Sequence, residues 1–146
     1  KDKLDRAKAL GLDEGIETAD QSFRGQLAAP VDVIVDPIGG PAFADNLAAL
    51  ALRGRLVMIG FLQGPDFHGS LEMILRKRLE VIGTVMRTRQ LPERAALVAE
   101  FAERVLPTLG TGLRPVLGGT FPAEQIAQAH QAMEKNAVFG KIVVTW

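Results

Sequence analysis

Val31-Asp32-Val33-Ile34-Val35-Asp36-Pro37-Ile38-Gly39-Gly40-Pro41 decides the fold. Four of its first six residues are β-branched and apolar, as expected of a strand covered on both faces. The Pro-Ile-Gly-Gly-Pro run then stops it. Downstream, Ala42 to Leu52 places Phe43, Leu47, Leu50 and Ala51 on one helical face, and Arg53-Gly54 ends that helix. Arg55 to Gly60 reads as a second buried strand, followed by a loop from Phe61 to Gly69. A short basic helix over Ser70 to Arg78 leads to a third strand over Glu80 to Met86. Strands alternating with helices at this spacing imply right-handed crossovers and a parallel sheet. The class is α/β.

Upstream of that stretch, Leu4, Ala7 and Leu10 recur at helical spacing, with Gly11 as the C-cap residue of a helix from Lys1. Gly15 to Thr18 is a short strand candidate. A chain that opens at Lys1, inside a helix and without Met, is expected to be cut from a larger protein. Beyond Met86 the rhythm changes. Pro92 begins a long helix with Leu97, Val98, Phe101 and Val105 on one face. Leu113 to Leu117 reads as extended, and Pro122 opens a helix carrying Ile126, Ala129, His130 and Met133. Gly140 to Trp146 closes as a strand.

Composition narrows the chemistry. Hydrophobic residues make up 47% and charged residues 23% of 146, the balance of a soluble globular chain. Seventeen lysines and arginines offset 17 aspartates and glutamates, so no net field recruits nucleic acid or an anionic membrane. The chain has no cysteine, which excludes disulfides, thiol catalysis and cysteine-ligated zinc within these residues. No apolar run approaches the roughly 20 residues a membrane span needs. The expected location is the cytoplasm.

Ligands of open parallel sheets bind beyond the C-terminal ends of the strands. Three loops qualify: Asp36 to Pro41, Gly60 to Gly64 and Thr84 to Arg89. Their glycines admit either close approach of a ligand or simple tight turns, and spacing favours turns. Gly110-Thr111-Gly112 is no phosphate loop, because Pro115 stands where a third glycine belongs. His68 reads as solvated, His130 as a partly buried structural residue, and Arg76-Lys77-Arg78 as a solvated helix end. Neither histidine belongs to a recognisable zinc-ligand motif, and no nucleophile–base pair is recognisable. No catalytic side chain and no metal site are expected here.

Asp36-Pro37-Ile38-Gly39-Gly40, Asn46-Leu47-Ala48-Ala49-Leu50 and Gly54-Arg55-Leu56-Val57-Met58-Ile59-Gly60 resemble the zinc-independent quinone oxidoreductases of the medium-chain dehydrogenase/reductase superfamily. Leu75 to Leu79, Phe121 to Glu124, Ala129-His130 and Val138 to Val143 extend the resemblance over essentially the whole chain, in family order. It implies a partial Rossmann domain, a doubly wound parallel sheet of which strands 3–6 are present, over residues 1–91. Residues 92–146 would return to a catalytic domain. The expected third strand lies near Ile16, and the three clear strands are the fourth to sixth. The implied activity is hydride transfer from NADPH to a quinone, enone or other activated carbonyl. The implied assembly is a homodimer through the last Rossmann strand. The alternatives are a non-catalytic crystallin-like or binding module of the same fold, and a zinc alcohol dehydrogenase.

Carried over by resemblance, Lys3 meets the adenosine 2′-phosphate. Its family partner, often tyrosine, falls at Thr18, which leaves the balance of NADPH over NADH open. Ile38 lines the adenosine side. Ile59, Gly60 and Phe61 lie beside the nicotinamide ribose, and the backbone of Thr84 and Val85 holds the carboxamide. Lys141 lies near the pyrophosphate. Without a phosphate loop and the first two strands, the 146 residues by themselves are expected to be inactive.

Overall fold

The computed structural model describes residues 2–18 and 22–146, so Lys1 of the expected first helix lies outside the described residues. The chain divides into two compact units, Lys1–Arg89 and Gln90–Trp146.

The first unit opens with helix α1, Asp2–Lys8. Gly11 takes a positive φ of 94° and donates its N–H to Lys8, closing the helix as a glycine C-cap does. Three strands follow: β1 (Val31–Asp36), β2 (Leu50–Met58) and β3 (Glu80–Gly83). They form one parallel sheet in the order β1-β2-β3. This is the α/β parallel arrangement expected from the alternating strands and helices. Helix α2 (Gly40–Ala49) joins the first pair of strands, and α3 (Glu72–Lys77) precedes the last.

The core is one cluster. Leu47 of α2 and Leu50 and Leu56 of β2 are fully buried, with Leu79 beside them and Val31, Ile34, Phe43, Met58 and Ile74 packed around. The other face of β1 differs from expectation. Val33 and Val35 are 50% and 58% exposed, because alternate strand residues point to opposite faces and this cluster covers only one.

Helix α2 ends before the expected Leu52, and β2 begins at Leu50 rather than Arg55. The cause lies outside the local sequence. Lys77, expected to be solvated, directs its ammonium at the carbonyls of Leu47 (3.1 Å), Ala48 (2.7 Å) and Leu50 (2.7 Å). A cation at a helix C-terminus satisfies carbonyls that have no intrahelical partner. The chain can then leave the helix at once. Arg53, with a φ of 64°, sits in a register irregularity between the Val31–Leu50 and Val33–Arg55 pairs.

Strand β3 stops at Gly83, short of the expected Met86, because its partner β2 stops at Met58. No strand forms over Gly15 to Thr18. That segment has no strand neighbour among the described residues, and an extended segment needs one to bond its backbone groups.

The second unit holds helix α4 (Leu91–Arg104), strand β4 (Leu117–Pro122), helix α5 (Ile126–Glu134) and strand β5 (Lys141–Thr145). Strands β4 and β5 pair in parallel. The extended piece expected over Leu113 to Leu117 is thus displaced toward Pro122. Gly118 explains the displacement: a Cβ there would lie 2.2 Å from Val138 and 2.7 Å from the Phe139 carbonyl oxygen. The glycine that weakens strand propensity is the one that lets the two segments approach.

Candidate functional site

Three loops lie at the C-terminal edge of the β1-β2-β3 sheet; hydrogen bonds tie the first two to each other and the third to the end of β2. Asp36, at the end of β1, is 4% exposed. Its carboxylate turns onto the loop that follows, Oδ1 accepting from the Ile38 N–H (2.7 Å) and Oδ2 from that of Gly39 (3.2 Å). Backbone N–H donors offset the cost of burying this charge. The Asp36 carbonyl accepts from Ile59 N–H (2.9 Å), so one residue fixes both its own loop and the exit of β2. Asp36 opens the first of the loops expected from the sequence, but the role of its carboxylate is not foreseen there; an aspartate directly before Pro-x-Gly-Gly is the available signal.

The loop after β2 lies on the loop after β1. Gly40, Leu62 and Gln63 N–H groups engage Gly64, Pro37 and Ile38 carbonyls, the first as donor across to the second loop at 2.9 Å. Gly39 has a φ of 98°, and a Cβ on it would lie 2.5 Å from the Gly64 carbonyl oxygen. On Gly40 a Cβ would come within 1.8 Å of the Asp66 carbonyl oxygen. Both glycines make room for a neighbouring loop. Thr84 extends the same edge, donating its N–H to Met58 (3.0 Å) and accepting at its hydroxyl from Arg89 (3.2 Å). Ile59, Phe61 and Val85 remain 51%, 52% and 55% exposed along this edge, with Gly60 half-buried between the first two.

A cleft of about 220 Å³ opens beside the first of these loops, with both Thr18 and Ile38 in its wall. Pro41, Ala42, Asp45 and Gln63 help complete it. The edge and the cleft therefore hold seven of the nine residues singled out in the sequence. Lys3 is half-buried in α1 and does not line the cleft. Lys141 is exposed at the start of β5, in the other unit. Of the two histidines, His68 is exposed as expected, but so is His130, against expectation. The buried residue of α5 is the small Ala129, while Ile126 and Met133, 49% and 60% exposed, leave the face of His130 open.

A family model described as zinc-binding dehydrogenase matches residues 10–144. The chain belongs to the zinc-binding dehydrogenase family. Within it, the chain is a quinone-oxidoreductase-like member of the medium-chain dehydrogenase/reductase superfamily. It is 27% identical over 117 residues to an acryloyl-coenzyme A reductase from Metallosphaera sedula, covering 79% of this chain and 32% of that protein. A crystal structure of an NAD-dependent alcohol dehydrogenase superposes with a TM-score of 0.75 at 28% identity, over 99% of this chain and 41% of that one. The quinone oxidoreductase from Thermus thermophilus, solved also in complex with NADPH, gives 0.69 at 30% identity, over 98% and 40%. The chain spans less than half the length of each of these proteins.

The family's name raises the question of zinc. This chain has no cysteine, and no group of three or more His, Asp or Glu residues gathers among the described residues. The described residues therefore gather no ligand set of the kind zinc takes. A nicotinamide dinucleotide fits better: an extended molecule with a base at each end suits a cleft at one end of a sheet edge whose exposed loops continue from it. No helix among the described residues is long and apolar enough to cross a membrane.

Proposed function

We propose that the chain is the cofactor-side part of an oxidoreductase that transfers hydride from NADPH to a quinone or another activated alkene or carbonyl. One observation carries this: Thr18 and Ile38 share a cleft, and Ile59 to Phe61 and Thr84-Val85 continue from it along one hydrogen-bonded sheet edge. The adenosine would sit in the cleft. The ribose beside the nicotinamide would rest on Ile59, Gly60 and Phe61, and the backbone of Thr84 and Val85 would hold the carboxamide. Lys3 would meet the 2′-phosphate and Lys141 the pyrophosphate. NADPH supplies the hydride when bound; these residues fix where the nicotinamide lies. The acryloyl-coenzyme A reductase and the quinone oxidoreductase among the relatives support an activated alkene or quinone as the acceptor.

The same proposal places the protein in the cytoplasm as a homodimer. Strand β3 is at the edge of its sheet, with Val81 and Ile82 each 40% exposed, and an open apolar edge is an association surface. Sedimentation as a monomer at micromolar concentration would remove the dimer from the account. The outer edge of β1 is likewise without a strand neighbour among the described residues, beside the exposed Val33 and Val35. The 146 residues expressed by themselves should accordingly neither bind NADPH measurably nor reduce a quinone, and micromolar binding in isothermal titration would contradict this.

The cofactor assignment is tested in the longest natural chain that contains these residues. A charge-assisted bond from Lys3 to the 2′-phosphate is worth roughly 1.5–3 kcal/mol. Lys3→Ala should then weaken NADPH about 10- to 100-fold and leave NADH nearly unchanged. Equal losses for both cofactors would take Lys3 out of that role.

A further inference from the structure

Asp45 lies in the middle of α2, half-buried, and lines the cleft that Thr18 and Ile38 share. Resting on the cofactor assignment above, we infer that Asp45 selects the base in this cleft by accepting a hydrogen bond from the exocyclic amine of adenine.

The carboxylate is held in place. The Ser22 hydroxyl donates to Asp45 Oδ2. Ser22 Oγ in turn accepts from the Arg24 N–H (2.9 Å), and the Ser22 carbonyl accepts from Gln26 Nε2 (2.7 Å). The hydroxyl proton is therefore directed at Asp45. Ser22 holds Oδ2, and the other carboxylate oxygen, Oδ1, is itself an acceptor.

The cleft's charge and shape define what could use that oxygen. No lysine or arginine lines the cleft among the described residues, so the carboxylate is not neutralised there. An anionic group would be repelled at this carboxylate oxygen, so the phosphates of a dinucleotide are directed away from Asp45 itself. A neutral donor is favoured. Ile38, Pro41 and Ala42 supply apolar wall for a flat ring in the cleft of about 220 Å³. Adenine is the part of a nicotinamide dinucleotide that is planar, uncharged and carries an amino donor on its edge. Hypoxanthine is nearly the same size but presents a carbonyl oxygen where adenine has the amine. Against Asp45 that places acceptor against acceptor.

The test compares NADPH with its deamino analogue, in which hypoxanthine replaces adenine, in the longest natural chain containing these residues. The wild-type protein should bind NADPH at least about tenfold more tightly than the analogue, the scale of one hydrogen bond to a charged group. Asp45→Asn, whose amide can donate as well as accept, should bring the two cofactors within about threefold. The ratio is taken within one protein, so a general loss of stability cancels. Equal binding of the two cofactors by the wild type overturns the inference even if the variant fails to fold. A wild-type preference that Asp45→Asn leaves intact also overturns it, while leaving the cofactor assignment standing. Failure of the wild type to bind NADPH at all overturns that assignment and this inference together.

Discussion

The two units are built on opposite balances of apolar surface. In residues 1–89 three leucines, one from α2 and two from β2, are fully buried in one cluster. In residues 90–146 the buried hydrophobic residue is Ala129, and the apolar face of α4 is open, Val98 at 59% and Phe101 at 47% exposure. Yet both contain parallel strands joined by a crossover that includes a helix. Backbone pairing is thus common to the two, and side-chain burial is not. Since apolar burial is the dominant favourable term in folding, the first unit should hold its structure far more firmly. The candidate site sits on that firmer unit, where loops tied to a packed sheet can keep a fixed geometry.

The contrast can be broken most forcefully at Leu56. Truncating this fully buried side chain, Leu56→Ala, should cost about 2–5 kcal/mol in denaturant unfolding of the first unit. A loss below about 1 kcal/mol would mean that the leucine cluster is not what holds the sheet.

Lys77→Met should come next. It keeps much of the stem's bulk but removes three bonds to carbonyls at the end of α2, at a cost of about 1.5–3 kcal/mol. Hydrogen exchange should quicken around Leu47 to Arg53, and unchanged exchange there would remove Lys77 as the helix stop. Asp36→Ala is expected to cost about 1–2 kcal/mol, since it leaves two loop N–H groups without their acceptor. Its sharper signature is local: faster exchange at Ile38 and Gly39 than in the body of β1.

Phe101→Ala should have the smallest effect. In the 146-residue chain it should change stability by less than about 1 kcal/mol, because nearly half of the side chain already faces solvent. A loss as large as that at Leu56 would show that the α4 face is covered in solution.

Where the sequence was legible, a local pattern matched a local cause. The β-branched run at Val31 to Val35 and the apolar spacing of Phe43 and Leu47 mark their elements directly. Boundaries set at a distance were not legible. The start of β2 at Leu50 depends on a lysine from another helix, and β3 stops at Gly83 because its neighbour ends. Strand β4 was hidden by Gly118 and Gly119, whose lack of side chains lowers strand propensity while permitting close approach at Gly118. At the site, the three loops followed from strand order alone, but Thr18 and Ile38 were singled out through family resemblance. Asp45 carries no signal in the pattern: it is one polar residue in a helix, and its meaning comes from the cleft wall and Ser22.

Hydrogen exchange with and without NADPH, in the longest natural chain that contains these residues, tests the central claim most directly. The proposed placement predicts added protection at Ile38 to Gly40, Ile59 to Gly64 and Thr84-Val85 together, with little change along the exposed face of α4 over Leu91 to Arg104. Protection confined to α4, or NADPH binding that leaves all three loops unchanged, would contradict it.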